Sequence, residues 1–111
     1  MTTRDLTLFP EDELGNALWQ RMLEGDDLSL EREVEFSVIF PTDEQALKFG
    51  QLLLENNQKL SFSPYQGSDS HPWEITAYPF MVPSYENIMA YQSLLIEHAP
   101  TFAGQFDGFY F

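Results

Sequence analysis

The segment from residue 31 to residue 57 changes its hydrophobic period part of the way along. Apolar and mostly polar side chains first alternate over residues 33–40, which is the period of a half-buried strand. After a proline, the apolar spacing over residues 46–53 is that of one face of a helix. Thr42 and Gln45 have the spacing of a capping box at the start of this helix. The segment therefore predicts a strand, a short turn and an amphipathic helix.

The chain before this segment predicts another helix and a linker. Residues 1–8 carry no clear signal. From Pro10 onward, three acidic residues suit the positive end of a helix, and an apolar stripe follows as far as Met22. Gly25 is the predicted residue just past the helix end, where a left-handed conformation is common. Residues 26–30 then form a short acidic linker.

The chain after this segment predicts two strands, a helix and a last strand. Alternation favours strands at 59–63 and 73–79, separated by a loop rich in turn-forming residues. Pairing should fail near Pro79, since proline cannot donate to a ladder. Ser84 is the predicted cap of the second amphipathic helix, which ends before Pro100.

An aromatic strand over residues 105–111 completes the order, a helix followed by β-α-β-β-α-β. This is the ferredoxin-like arrangement in the α+β class, a four-stranded antiparallel sheet with two helices on one face. The N-terminal helix is an addition to it. We predict that 33–40 and 73–79 are the central strands and that 59–63 and 105–111 lie at the edges.

Length and composition limit the class of protein. With 111 residues we expect one domain, in which residues 1–30 hold the first helix and linker and residues 31–111 hold the core. The chain has no cysteine, which excludes disulfides and cysteine-ligated metals. We find no signal-peptide pattern and no apolar run of membrane-spanning length, so we expect a soluble, cytoplasmic protein with no membrane association.

The net charge of the chain limits its possible partners more than any other feature of the composition. Eighteen acidic residues and five lysines and arginines give a net charge of −13. A polyanion repels phosphate backbones, so we expect no direct nucleic-acid binding, whereas a basic protein partner would be attracted. The alternative interpretation is a solvated, self-repelling surface.

No candidate for catalysis, metal binding or cofactor binding emerges. His71 and His98 share no ligand spacing with each other or with nearby carboxylates. The acidic runs at 11–13 and 26–27 lack the alternation and glycine of a calcium loop. Nucleophile-elbow, phosphate-loop and dinucleotide motifs are missing as well. The sequence therefore favours a protein that is not an enzyme and needs no cofactor.

Several aromatic residues are candidates for the open face of the sheet. They are Tyr78 and some of Phe109, Tyr110 and Phe111. Such a face can stack bases, but that use normally requires a positive groove. We interpret these side chains as packing for the N-terminal helix or as a protein-contact patch.

Near its end the chain has an aromatic-Asp-Gly-aromatic motif, which consists of Phe106, Asp107, Gly108 and Phe109. This ending resembles that of the family of regulators of ribonuclease E activity, type B (RraB-like). The strand VEFSVIF with the following Phe49-Gly50, and the stretch HPWEITAYPFMVPSYENI, are similar to further parts of that family. Phe109 stands where the family commonly has tryptophan, and the long acidic tail of some members has no counterpart here. An Asp-Gly step within a strand also predicts a bulge or kink, with a possible positive φ at Gly108.

The resemblance implies a non-catalytic inhibitor that binds a ribonuclease E-type endoribonuclease, notably its basic scaffold region, and alters RNA processing and decay. The competing hypothesis is a small-molecule-binding or oligomerisation module, because this fold hosts many functions. A ligand-binding module should have a concave apolar pocket, and an inhibitor a broad acidic surface.

We place the predicted contact surface on the acidic N-terminal third, where no nearby cation is expected to neutralise the carboxylates. Its members are Glu11, Asp12, Glu13, Asp26, Asp27 and Glu31. Binding there should weaken as salt rises, chiefly through slower association. The alternative is a solvated helix end whose acids only complement the helix dipole.

Overall fold

The computed structural model describes residues 3–111, so residues 1 and 2 of the first predicted segment lie outside the described part. Within it the chain is a mixed α+β structure with three α-helices and antiparallel sheets. The helices are α1 (Glu13–Leu23), α2 (Asp43–Glu55) and α3 (Tyr85–His98), and a 3-10 turn (Ala99–Phe102) follows α3. The strands are β1 (Arg32–Glu33), β2 (Glu35–Phe40), β3 (Leu60–Pro64), β4 (Trp73–Ala77), β5 (Phe80–Met81) and β6 (Gln105–Tyr110).

Helix α1 begins three residues later than the position of Pro10 suggested. The Pro10 carbonyl accepts a hydrogen bond from the Asp12 N–H (2.9 Å), which closes a tight turn before the helix. Asp12 then caps the helix by accepting from the Gly15 N–H. At the other end the prediction is confirmed, because Gly25 has a φ of 93° and donates to the Met22 carbonyl.

The predicted hydroxyl caps of the two core helices are confirmed, but the capping box is only half formed, because the buried Oε1 of Gln45 accepts no hydrogen bond from Thr42. The Thr42 hydroxyl accepts from the Gln45 N–H (3.2 Å), and the Ser84 hydroxyl accepts from the Asn87 N–H (3.1 Å). Asn57, with a φ of 60°, ends α2 in a left-handed conformation. Each of these boundaries is set by residues within a few positions of the helix end.

The main sheet has four strands in the order β3-β4-β2-β6, and every neighbouring pair is antiparallel. Strands β2 and β4 are therefore the central neighbours, as predicted. The expectation that one sheet holds all the strands is wrong, because β1 and β5 form a second, two-stranded sheet.

This second sheet continues the β2–β4 ladder. Phe36 is paired with Ala77, and three positions further along each strand Glu33 is paired with Phe80. Between them the Val34 N–H donates to the Pro79 carbonyl (2.9 Å). The ladder fails near Pro79, as expected from its missing N–H, and then resumes in the same register.

Helices α2 and α3 pack against the same face of the main sheet. The Phe36 ring lies 4.7 Å from that of Tyr91 in α3, and the Phe40 ring 5.2 Å from that of Phe49 in α2. Leu14 and Leu18 of α1 join the same core. We call the opposite side of the sheet the outer face.

Strand β6 contains the predicted bulge. Ser37 is paired with Gly108 but Val38 with Phe106, so Asp107 is the extra residue. Because of this extra residue, Phe106 and Phe109 both face the helices although they are three positions apart. Phe111 also packs on the core, so of the aromatics considered for the outer face at this strand, only Tyr110 points outward.

Candidate partner-binding surface

All five basic side chains are engaged within the molecule. Arg4 donates to backbone carbonyls and to Asn16, and the other four form ion pairs with carboxylates. Over residues 3–111, ion pairs with lysine or arginine involve only three of the eighteen acids, namely Asp26, Glu33 and Glu44. The surface that remains is strongly anionic.

Asp12, one of the predicted contact residues, ties α1 to α3. Its carboxylate accepts from the Gly15 N–H (2.7 Å) and from the Tyr85 hydroxyl. These two hydrogen bonds, the one from Tyr85 foremost, hold the pKa of Asp12 below its usual value. Asp12 therefore has a structural task in addition to any contact with a partner.

Asp26 is the centre of an ion-pair cluster, and the expectation that no nearby cation neutralises it is wrong. The end of α1 folds back so that the Asp26 N–H donates to the Arg21 carbonyl, which brings the two side chains together. The Asp26 carboxylate accepts from Arg32 (2.8 Å) and Arg21 (3.0 Å). The Arg32 hydrogen bonds are the largest cause that lowers the pKa of Asp26 to about 2.

The other predicted residues differ in how they are held. Asp27 accepts from the N–H and hydroxyl of Ser29, which lowers its pKa. Glu11, Glu13 and Glu31 are exposed, and over residues 3–111 no ion pair to lysine or arginine involves them. These three glutamates are the members of the predicted set whose charge the fold leaves uncompensated.

The structure brings one end of the predicted acidic surface next to the family motif. A groove of about 410 Å³ is lined on one side by Asp12, Glu13 and Leu14 and on the other by the motif. The motif residues in this groove are Phe106, Asp107, Gly108 and Phe109. Sequence separation hid this proximity, because β6 lies more than ninety positions after the start of α1.

Gly108 does not have the left-handed conformation that we considered. Gly25 is the glycine with positive φ in residues 3–111. A Cβ atom at Gly108 would meet no other atom within 4 Å. The shape of this strand therefore comes from the extra residue Asp107.

Tyr65 is a residue of this region that sequence reasoning missed. It follows the edge strand β3, yet its hydroxyl donates to the Asp107 carboxylate (3.2 Å) on the opposite edge strand β6. Tyr65 therefore spans the outer face of the sheet. Burial, followed by the nearby charge of Asp107, raises its pKa. No local pattern signals a contact between residues 42 positions apart.

An apolar cleft of about 500 Å³ lies between the N-terminal segment, α1 and the start of α3. Its wall is mostly apolar side chains, with Ser84, Tyr85 and three carboxylates among the lining residues. The apolar members are Leu8, Phe9, Leu18, Met22, Leu28, Val82 and Pro83. This is the kind of concavity that the alternative hypothesis, a ligand-binding module, requires.

Over 3–111, no group of three or more histidine, cysteine, aspartate or glutamate side chains is arranged to hold a metal ion. In the same range no helix is both long and apolar enough to cross a membrane. His71 hydrogen-bonds to Ser70, and His98 lies in the last turn of α3.

Together these features define a small acidic α+β protein in which a motif-bearing edge strand adjoins a carboxylate-rich helix start. The chain belongs to the RraB family, described as regulator of ribonuclease activity B, whose family model matches residues 11–110. That match covers nearly the whole chain and confirms the resemblance found in the sequence. Neither a curated protein nor a solved structure matches the chain.

Proposed function

We propose that this protein is a non-catalytic regulator that binds a ribonuclease E-type endoribonuclease and lowers its activity. The observation that carries the proposal is membership of the family of ribonuclease regulators over residues 11–110. The anionic surface supports it, since the scaffold region implied by the resemblance is basic. The protein itself would cut no RNA, and the partner's RNA processing would change.

The negative charge of this protein affects how fast it meets its partner. A net charge of −13, with every lysine and arginine already engaged, attracts a basic segment from a distance. Such steering raises the association rate and is screened within about 8–10 Å at physiological salt. The complex should therefore form more slowly as salt rises, with a smaller change in its dissociation rate.

We retain the acidic N-terminal third as the proposed contact surface, with the groove beside the family motif as its continuation. Glu11, Glu13 and Glu31 are the members best suited to meet a cation, because their charge is not compensated inside the molecule. Asp12 and Asp26 are poorer choices for testing the idea, since replacing either also disturbs the fold.

The matched experiment compares two triple variants with the same loss of charge. One is Glu11→Gln, Glu13→Gln and Glu31→Gln, and the control is Glu55→Gln, Asp69→Asn and Glu97→Gln, which changes exposed acids elsewhere. Association with the basic scaffold region is measured at low and high salt by surface plasmon resonance. We expect the first variant to associate several-fold more slowly at low salt and the control to lose less. Equal association rates for the two variants would show that the contact lies on another surface.

We also propose that the fold belongs to the ferredoxin-like class, with β1 and β5 as an extension of the central strands. The order β3-β4-β2-β6 and the packing of α2 and α3 on one face support the assignment.

The apolar cleft supports a second candidate function, the binding of a small apolar molecule. Its test is to purify the protein from its own cells under native conditions and identify what accompanies it. Recovery of a ribonuclease supports the first proposal. Recovery of a metabolite-bound homo-oligomer without a ribonuclease would favour the second.

A further inference from the structure

The outer face of the sheet carries a strip of carboxylates and aromatic rings at the end away from Tyr65. We call this the acidic aromatic strip, and its members are Glu33, Glu35, Tyr78, Phe80 and Tyr110. Phe80 is 68% exposed and Tyr110 76% exposed, the two highest values among the large hydrophobic side chains of residues 3–111. Contiguous exposed apolar patches commonly mark a contact with a partner.

Strand pairing fixes how the strip is built. Glu35 is paired with Tyr110, and Glu33 is paired with Phe80. The two glutamates are separated by Val34, which is fully buried on the helix side, so both carboxylates point to the outer face. Each glutamate therefore stands directly beside an exposed ring.

Lys59 shows what such a site binds. Its ammonium group lies 2.8 Å from the Glu33 carboxylate and 5.5 Å from the centre of the Tyr78 ring. A cation is thus held by a carboxylate and an aromatic face at the same time. At Glu35 and Tyr110 the carboxylate and ring are again adjacent, but no lysine or arginine of residues 3–111 pairs with Glu35.

We propose that the acidic aromatic strip docks an arginine-bearing segment of a protein partner. This inference rests on the proposed function and adds a second contact surface to it, on the outer face of the sheet. Arginine fits better than lysine because its planar guanidinium can stack on a ring while donating two hydrogen bonds to a carboxylate. Single-stranded RNA fits poorly, because its phosphates would face the glutamates and the neighbouring cation, Lys59, is already paired with Glu33.

The test uses the full chain and two probes, namely the basic scaffold region of a ribonuclease E-type enzyme and a synthetic peptide in which arginine alternates with serine. A lysine-serine peptide of equal length is the matched probe. The variants are the double substitution Phe80→Ala and Tyr110→Ala, and Glu35→Gln alone. Leu54→Ala is the control, since Leu54 is 61% exposed on α2, away from the outer face. Thermal melting verifies that each variant is folded, as expected for such exposed positions.

We expect wild type to prefer the arginine peptide to the lysine peptide. The double variant should bind both the scaffold region and the arginine peptide about tenfold more weakly, and Leu54→Ala should bind as wild type does. Equal affinity for the two peptides, or RNA binding that depends on the strip, would overturn the inference.

The outcomes also separate this inference from the proposed function. If wild type binds the scaffold region and the strip variants bind it equally well, the strip is not a docking site and the proposed function stands. If the arginine peptide binds through the strip but the scaffold region does not bind at all, the strip stands and its partner is another basic protein. If wild type binds neither probe, both proposals are wrong.

Discussion

Gly15 lies in the first turn of α1, where helix propensity and packing predict opposite effects of an alanine. Alanine stabilises a helix interior by about 1 kcal/mol relative to glycine. However, a Cβ atom at Gly15 would lie only 1.8 Å from the Pro10 carbonyl oxygen. Carbon and oxygen atoms in contact are normally separated by roughly 3.3 Å or more. The Pro10 turn therefore has to move by about 1.5 Å if Gly15 is replaced.

The stability lost in Gly15→Ala depends on the hydrogen bonds that the Pro10 carbonyl accepts. It accepts hydrogen bonds from the Asp12 N–H (2.9 Å) and from the Arg4 guanidinium (2.7 Å). Losing a neutral and a charge-assisted hydrogen bond costs about 2 to 4 kcal/mol in total. After the gain in helix propensity, we expect Gly15→Ala to lower the free energy of unfolding by about 1 to 3 kcal/mol. For a domain of this size that is a fall in Tm of roughly 4 to 12 °C.

Gly50→Ala in α2 is the matched control. There a Cβ atom would meet the flexible ends of side chains, Ile75 at 3.3 Å and Leu60 at 3.7 Å. We expect its stability to stay within about 1 kcal/mol of wild type, since propensity offsets the tight contact. Urea denaturation and thermal melting of both variants measure the difference. A Tm for Gly15→Ala equal to or above that of Gly50→Ala would show that the Pro10 turn accommodates the added methyl group at no cost.

Three further predictions concern single side chains. Asp26→Asn should lower the free energy of unfolding by about 1 kcal/mol at neutral pH, because Arg21 and Arg32 lose their carboxylate partner. Since folding lowers the pKa of Asp26 from 3.8 to about 2, the greater stability of wild type should be present above about pH 4 and vanish as the pH falls through about 2. Equal stabilities of the two proteins in urea denaturation at neutral pH would contradict this. Tyr85→Phe should raise the pKa of the Asp12 carboxyl toward its usual value by removing the hydrogen bond that lowers it most, as followed by an NMR titration, and an unchanged pKa would argue against that cause. Gly108→Val should change Tm by no more than a few degrees, because the site is open and φ is not positive, whereas a fall of about 8 °C or more would indicate strain at this position.

The parts of the fold that sequence predicted are those fixed by neighbouring residues. Thr42 and Ser84 cap helices, Gly25 ends one, and each signal lies within one turn of its effect. The bulge at Asp107 was also predictable, since an Asp-Gly step interrupts an aromatic strand. The hydrophobic period and the turn-forming residues were sufficient to predict these features.

The parts that sequence missed depend on contacts between distant residues. The ladder resumes after Pro79 because β1 and β5 keep the register of the central strands, and register is a property of the assembled sheet. The hydrogen bond from Tyr85 to Asp12 joins residues 73 positions apart. Asp26 appeared free in the sequence, although the turn at Gly25 folds it back onto Arg21 and the linker brings Arg32 to the same carboxylate.

The negative charge of the candidate surface could be predicted from the sequence, but the separate roles of its residues could not. Composition gave the acidic character, while the structure divides the six predicted residues into those that hold the fold and those whose charge remains uncompensated. Tyr110 was a candidate for a protein-contact patch, but its pairing with Glu35, like that of Phe80 with Glu33, depends on the assembled sheet and could not be predicted from the sequence.

A titration of RNA cleavage tests whether this protein lowers the activity of a ribonuclease E-type enzyme. A ribonuclease E-type enzyme cleaves a fluorescent RNA while increasing amounts of this protein are added, and the same enzyme without its basic scaffold region serves as the control. We predict that the cleavage rate of the complete enzyme falls to a plateau, that the truncated enzyme is inhibited far less, and that this protein alone leaves the RNA intact. An unchanged cleavage rate for the complete enzyme, at protein concentrations well above that of the enzyme, would contradict the account.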